Sequence, residues 1–370
     1  MPRLGDVTYS RRELARRVGR LDQVAGVRLV TLGDGIGRGV RMLEFRTGTG
    51  FEFDVLVDRA FDIGRCEQGG RSLTWLSSVG VSGPWFYEPE RLGFLRSFGG
   101  GLLTTCGLDH AYSPAEDTAD HYHYPAKLTE SYGLHGRISG RPARLVGYGE
   151  RWDGDTCILY AEAEVVQAAV FGEQLLLRRR IEACIGESRL SMRDEVVNLG
   201  YDNTPHMLLY HVNLGWPVVD DGAELVAPAV AVRAHGDYPV EGYELIHAPE
   251  RGYVERVFEH DLNAEADQHV PVAVVNRRLG LGAYQVFRRD QLPHHLVWRM
   301  LGEGTYVIGI EPSTNRPASR LDARAQGELI ELGPGDSRHY ELELGALDGD
   351  RAIQAFVERV DKLVETPDLS

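Results

Sequence analysis

Residues 189–217, RLSMRDEVVNLGYDNTPHMLLYHVNLGWP, read as strand, turn, strand. Leu190, Met192, Val196 and Val197 make an apolar run broken by charges. Asn198-Leu-Gly-Tyr-Asp-Asn-Thr-Pro205 is a dense cluster of turn formers, and residues 207–212 are a second apolar run. His211 ends that second run, just before Asn213, Gly215 and Pro217. A strand end opening into a Gly/Pro loop lets a rigid scaffold present an ionisable side chain to a ligand. On residue type alone, one histidine among thirteen is more often a core or strand-edge residue satisfied by a backbone partner.

Outward from this segment the chain stays β-rich. Ser10-Arg-Arg-Glu13 is a capping-box pattern, and Leu14, Val18 and Leu21 follow at helical spacing, which predicts a short N-terminal helix. Residues 27–31, 40–45 and 51–57 are short strands between glycine clusters, with Phe51, Phe53, Val55 and Val57 on one face of the last. Asp58-Arg-Ala-Phe-Asp-Ile-Gly64 reads as a charged turn, and residues 77–101 are rich in glycine and aromatics. Residues 113–131 are predicted to form a long polar loop over a cleft. Further strands are expected at 157–166, 175–185, 189–197, 270–276, 282–288 and 296–300, with 218–260 rich in loops. Two closing strands fall in 327–344, and Ile353, Phe356, Val357, Val360 and Leu363 mark an amphipathic C-terminal helix.

Two other stretches carry chemistry. Tyr132-Gly-Leu-His135-Gly-Arg137 puts a histidine in a glycine-rich loop. Thr305-Tyr-Val-Ile-Gly-Ile-Glu311-Pro runs a mostly apolar strand straight into an acid, where a carboxylate is costly unless it is hydrogen-bonded or functional.

Together, "Asp-Arg-Ala-Phe-Asp-Ile", "Leu-His-Gly", "Tyr-His-Val-Asn-Leu-Gly-Trp-Pro" and "Gly-Ile-Glu-Pro" resemble the galactose mutarotase (aldose 1-epimerase) superfamily, closest to an uncharacterised bacterial branch. The superfamily usually shows His-x-Tyr-(aromatic)-Asn-Leu where this chain has His211-Val-Asn-Leu, two residues shorter. Aligned on the histidine, His211 becomes the catalytic acid; aligned on Asn-Leu, Leu209 would stand there, and an aliphatic side chain transfers no proton. The resemblance implies a large antiparallel β-sandwich, all-β, with short N- and C-terminal helices. It implies Glu311 as catalytic base, His211 as acid and His135 assisting, with Arg59, Asp62, Asp109 and Arg299 fixing sugar hydroxyls. The implied reaction is anomer interconversion by acid/base ring opening, with no cofactor.

Composition narrows the alternatives. The 370 residues suffice for two average domains or one large all-β domain, and no composition break divides them. The expected organisation is one domain over 1–370, with a helical extension at 1–23 and a helix at 351–370. A net charge of −15 argues against nucleic acid or anionic membrane as partner. No apolar run is long enough to span a bilayer and no secretory signal is visible, so a cytoplasmic protein, monomer or homodimer, acting on a small-molecule carbohydrate is expected. Cys66, Cys106, Cys157 and Cys184 are widely spaced and expected to be reduced. Phosphate-loop, zinc-protease, serine-hydrolase and dinucleotide motifs are absent. Two rival functions remain on the same fold. One is a metal-dependent isomerase, epimerase or lyase using His110, His121, His123, His135 and an acid. The other is a sugar-binding module without turnover.

Overall fold

The computed structural model describes residues 1–365, and two antiparallel sheets account for most of them. The first has eight strands, in the order Arg144–Asp153, Thr156–Ala168, Gln174–Cys184, Arg189–Asn198, Ser337–Asp348, Leu281–Arg288, His269–Asn276 and Glu224–Val226. The second has twelve. Its continuous path is Ala229–Ala234, Arg256–Leu262, His294–Gly302, Thr305–Ser313, Thr204–Gly215, Leu103–Leu108, Asp62–Gln68, Phe51–Leu56, Arg41–Arg46 and Gly26–Thr31. Short strands Ile330–Leu332 and Arg71–Ser72 pair with Thr204–Gly215 and Asp62–Gln68. This is the large antiparallel β-sandwich that the resemblance implied.

The opening segment does not form a hairpin. Arg189–Asn198 belongs to the eight-stranded sheet and Thr204–Gly215 to the twelve-stranded one. The chain crosses between them through a turn stapled by the buried Asn198. Its amide donates to the carbonyls of Asp202 (2.7 Å) and Leu332 (2.9 Å) and its side-chain oxygen accepts from the Gly200 N–H (2.9 Å). Thr204–Gly215 then runs through the middle of its sheet, and every residue in it is buried. Leu208, Tyr210, Val212 and Leu214 face the inter-sheet core. Alternation sends Met207, Leu209, His211 and Asn213 to the other face, where a second, smaller cluster of Phe94, Phe98, Cys106, Tyr112 and Leu296 covers them. His211 therefore lies well inside a strand that continues to Gly215. Asn213 keeps the strand in register, its amide donating to the carbonyls of Gly101 (3.0 Å) and His211 (2.9 Å).

Other expectations are refined. The Ser10/Glu13 capping box forms, but the helix stops at Ala15 and a 3-10 turn takes Leu21–Gln23. Only Leu14 of that helix is buried, and a helix this short has little besides packing to hold it. Within 113–131 the expected loop contains a strand, Ala115–Thr118, paired with Thr129–Tyr132. Asp117 in that hairpin is ion-paired with Arg320 and Arg324 of an unforeseen helix, Arg320–Gln326. The sequence signal for it was the Ser319/Asp322 capping box and the left-handed Gly327 (φ 74°) after its end. The C-terminal helix runs Asp350–Glu365 and buries Ile353, Phe356 and Val360 against Val275 and Leu347; residues 366–370 of the expected 351–370 lie outside the described part. Among the described residues no helix is long and apolar enough to cross a membrane, and all four cysteines are free thiols.

One polar network rivets the two sheets. Arg179 donates to Asp194 through Nε (2.9 Å) and Nη2 (2.6 Å), to Asp62 (2.8 Å) and to Thr105 (2.8 Å), while Tyr210 donates to Asp194 (2.6 Å). A buried guanidinium is tolerable only while its carboxylates remain. Asp194→Ala is therefore expected to cost about 3–5 kcal/mol of folding stability. The measurement is a lower urea midpoint at unchanged slope; an unchanged midpoint would show that the network carries no net stability.

Candidate active site

The outer face of the central strands brings the acid and two histidines together. Glu311 lies in Thr305–Ser313, which pairs with Thr204–Gly215 through Leu209↔Ser313 and Val212↔Ile310. That register sets Glu311 opposite His211. On His211's other side is Thr104, and on Glu311's other side Leu296. Cross-strand neighbours on one face are close enough for side chains to touch, and His211 Nε2 lies 3.3 Å from Glu311 Oε1. The two are in contact without the alignment of a hydrogen bond, which leaves Glu311 Oε1 buried and unbonded; the ring's other nitrogen, His211 Nδ1, is buried without a partner as well. Both residues are only 5% exposed.

His135 arrives from a loop. Its ring stands perpendicular to that of His211, centroids 5.6 Å apart. The backbone holds it at φ 60°, a left-handed conformation that a non-glycine residue adopts only where its surroundings impose it. The His135 N–H donates to the Tyr112 carbonyl (2.9 Å), and the His135 carbonyl accepts from the Gly107 N–H (3.1 Å). Gly136 must be glycine, because a Cβ there would sit 2.2 Å from the His110 carbonyl oxygen and 2.3 Å from that of Gly107. The Leu-His-Gly motif is thus a device for pressing one imidazole against the sheet. Its Nδ1 is also unbonded.

Aromatic rings close the site. Phe98 and Trp298 meet the His211 ring edge-on at 5.2 and 5.3 Å, Trp75 packs on both, and Phe94 packs on His135 at 5.0 Å. Phe94 and Phe98 come from the glycine- and aromatic-rich stretch 77–101, whereas Trp75 and Trp298 lie outside the stretches that the sequence marks for chemistry. The signal for Trp298 was its alternation with Leu296 in a strand next to that of Glu311. Gly309 was also missed. It lies beside Glu311 on the same face, and a Cβ there would fall 2.4 Å from Glu311 Oε1 and 3.1 Å from Trp298 Cβ. Its bareness makes the space for the carboxyl.

The four expected hydroxyl-binding residues are engaged elsewhere. Asp62, placed in the sequence within a turn, lies in the strand Asp62–Gln68 and is bound to Arg179 and Thr105 on the core side of the sheet. Arg59 donates to the carbonyls of Ser82 (2.9 Å), Ser97 (3.1 Å) and Ser139 (2.8 Å), tying down the segments that carry Phe98 and His135. Asp109 accepts from Gln167 (2.6 Å). Arg299 follows Trp298 in its strand and so points to the opposite face, donating to the carbonyls of Tyr243 and Leu245. These groups shape the scaffold, and the structure does not bring them to Glu311. Of the histidines considered for a metal, His110 contacts the Ser113 carbonyl and His123 the Asp202 carboxylate. Among the described residues, three ligand atoms converge within 4.8 Å only at Glu265, Asp267 and His269, away from this site, where Glu265 is bound to Arg359.

Burial sets the protonation of the trio. It pushes Glu311 up to about 8, with the nearby charge of Glu255 adding to it. It pushes His211 down to about 4, and pushes His135 well down, helped by His211 and His110. Near neutral pH burial therefore favours a protonated Glu311 carboxyl beside a neutral His211 imidazole, which keeps one N–H and offers one bare nitrogen. The pair can give a proton to one oxygen and take one from another.

The same burial links stability to pH. The folded state keeps the Glu311 proton up to about 8, whereas an unfolded chain releases it near 4.5. The native form binds the extra proton between those values, so this group's contribution to stability falls as pH rises through that window. Glu311→Gln keeps the shape and cannot ionise. Denaturation midpoints at about pH 5 and about pH 8 are expected to differ less in the variant than in the wild type. Equal differences would mean that Glu311 does not hold that proton.

Comparison with known proteins agrees with this architecture. A family model described as a domain of unknown function, DUF4432, matches residues 37–346. No curated protein matches the sequence. Among solved structures, a Klebsiella pneumoniae protein provisionally named an aldose 1-epimerase superposes with a TM-score of 0.84 at 24% identity, over 93% of this chain and 91% of that one. A galactose mutarotase-like protein from Clostridium acetobutylicum gives 0.59 at 13%, over 87% and 98% of the two chains. A galactose 1-epimerase from Lactobacillus acidophilus gives 0.55 at 14%, over 87% and 99%. The strand order, the two packed sheets and the family match lead to one assignment: the chain belongs to the DUF4432 family and has the galactose mutarotase-like fold.

Proposed function

We propose that this protein is a sugar mutarotase, interconverting the anomers of a small carbohydrate by acid/base ring opening. The observation that carries the reading is the Glu311–His211 pair, 3.3 Å apart across two strands, buried and walled by aromatic rings. The names of the Klebsiella and Lactobacillus proteins that share the fold point the same way.

The chemistry needs one proton taken and one given on the same ring. A base removes the anomeric hydroxyl proton as an acid protonates the ring oxygen. The C1–O5 bond breaks, its electron pair goes to O5, and the anomeric oxygen becomes the carbonyl of the open aldehyde. Rotation about C1–C2 and the reverse transfers close the ring on its other face. With Glu311 as base, His211 is the acid. The free protein stores a proton on Glu311, so sugar binding between the two must pass it to the imidazole, or else the two exchange roles. Either arrangement leaves the pair unchanged after one turnover, and no cofactor is called for. In this reading His135, whose Nδ1 has no partner, holds a ring oxygen or hydroxyl. The half-buried indoles of Trp75 and Trp298 supply the ring surface on which a pyranose would stack.

Anomer exchange measured by NMR or polarimetry across aldoses, ketoses and uronates is the test. Exchange well above the buffer rate on at least one sugar is expected, and Glu311→Gln or His211→Asn is expected to slow it by about 10²–10⁴-fold. If the wild type accelerates none of them, the reading is wrong. Gly309→Ala, which forces a methyl group onto the Glu311 carboxyl, is expected to lower kcat by about 10²-fold while the fold persists. Unchanged kcat in a folded Gly309→Ala protein would mean that the carboxyl position is not critical.

A further inference from the structure

Two arginines stand side by side without an acid between them. Arg256 and Arg299 are directly opposite on the neighbouring strands Arg256–Leu262 and His294–Gly302, so both side chains leave the same face, the one turned away from Trp298. Like charges in such positions repel. The chain has 55 acids against 40 lysines and arginines, so carboxylates to separate them are not scarce. Arg179 and Arg320, which are also buried, each meet one. Arg59 meets none but engages all three of its guanidinium nitrogens. Arg299 has no carboxylate partner among the described residues, and only its two terminal nitrogens are engaged, by the carbonyls of Tyr243 and Leu245. Its Nε is buried with no partner, in a residue only 5% exposed.

The surroundings leave room for a ligand. The half-buried Arg256 guanidinium lies over the rings of Tyr253 and Tyr238, 5.0 and 5.7 Å from their centres, and makes no hydrogen bond or ion pair among the described residues. The Tyr253 hydroxyl stands near Arg299 without bonding geometry, and is itself buried and unpartnered. A pocket of about 210 Å³ opens here, lined by both arginines, Tyr243, Ile246, His247 and Phe258. That is smaller than the roughly 300–1,000 Å³ of pockets that hold drug-sized molecules, and it suits a small ion. The exposed Glu241 also lines the pocket and the charge of Glu244 acts on Arg299, but neither forms an ion pair with either arginine.

The geometry points to a second binding site, for a small oxyanion held between Arg256 and Arg299 with the Tyr253 hydroxyl donating to it. An oxyanion accepts from a guanidinium fork through its oxygens, separates the two like charges and gives the buried Nε a partner. A tetrahedral dianion offers one oxygen to each of the three donors, so phosphate and sulfate are favoured over a carboxylate. Trp298 and Arg299 are consecutive and point to opposite faces, so the anion binds behind the aromatic wall, across the sheet from Glu311 and His211. The site stands whether or not the protein turns over sugars.

The experiment is calorimetric titration of the full chain with inorganic phosphate, sulfate and acetate, at an ionic strength held constant with chloride. Saturable binding of one phosphate per chain is expected, with a Kd of about 1 mM or lower and acetate weaker. Arg256→Gln removes a half-buried side chain that holds nothing else by hydrogen bonds, so the variant is expected to fold and to bind phosphate at least about tenfold more weakly. Glu241→Gln takes a negative charge out of the pocket and is expected to tighten binding, whereas Glu311→Gln is expected to leave it unchanged. Glycerol phosphate binding as tightly as inorganic phosphate, or far more weakly, tells a phosphate ester from free phosphate as the source, and either result supports the site. No saturable binding of any of these anions would overturn the inference. Binding that Arg256→Gln leaves intact, or that Glu311→Gln abolishes, would overturn it too, because the anion would then lie elsewhere.

Discussion

The rest of the structure depends on the double burial of one strand. Thr204–Gly215 has the inter-sheet core against one face and the aromatic cluster against the other, so all its residues are removed from water. Such a strand tolerates polar side chains only where something receives them. On the core face Tyr210 is received by Asp194, and through it by Arg179. On the outer face Asn213 is received by backbone carbonyls. His211 alone meets a carboxyl with which it does not properly bond. Unsatisfied polarity in so dry a place is expensive, and His211 Nδ1, Glu311 Oε1 and His135 Nδ1 are among the buried polar atoms left without a partner, as is Asn213 Oδ1 on the same strand.

That arrangement explains the electrostatics as well. A neighbouring guanidinium favours the ionised carboxylate, as Arg179 does for Asp62 against the burial that pushes that carboxyl up. Glu311 has no such neighbour, and burial keeps it protonated up to about 8. The sandwich thus carries two buried acid systems with opposite logic. Asp62 and Asp194, paired with Arg179 across the sandwich, hold the layers together. Glu311, left with an imidazole and aromatic rings, stays poised to gain or lose a proton. The twelve-stranded sheet separates the two and prevents Arg179 from supplying the charge that Glu311 lacks.

Small backbone devices protect this poise. Gly309 leaves the volume that the Glu311 carboxyl fills, and Gly136 lets the loop carrying His135 lie flat on the end of Leu103–Leu108. Arg59 gathers three loop carbonyls and so fixes Phe98 and His135 relative to each other. None of these residues faces a substrate, yet each sets where a functional side chain can stand.

The sequence by itself determined the all-β class, most strand positions and the C-terminal helix, and its motifs singled out Glu311, His211 and His135, which the fold brings together. Alternation and turn formers report local backbone state directly, and the Leu-His-Gly and Gly-Ile-Glu-Pro motifs are short enough to be read in place. Tertiary structure decided the rest. Which sheet receives the strand after Asn198, which face of it His211 occupies, and which charges lie near Glu311 depend on pairings between residues far apart in the chain. Asp62 and Arg299 looked like ligands because a charge at a strand end is ambiguous in one dimension. Only the packed sheets show that Asp62 belongs to Arg179 and that Arg299 points away from its neighbour Trp298. The carboxyl's high proton affinity has the same origin, since desolvation belongs to the assembled fold and not to any residue in it.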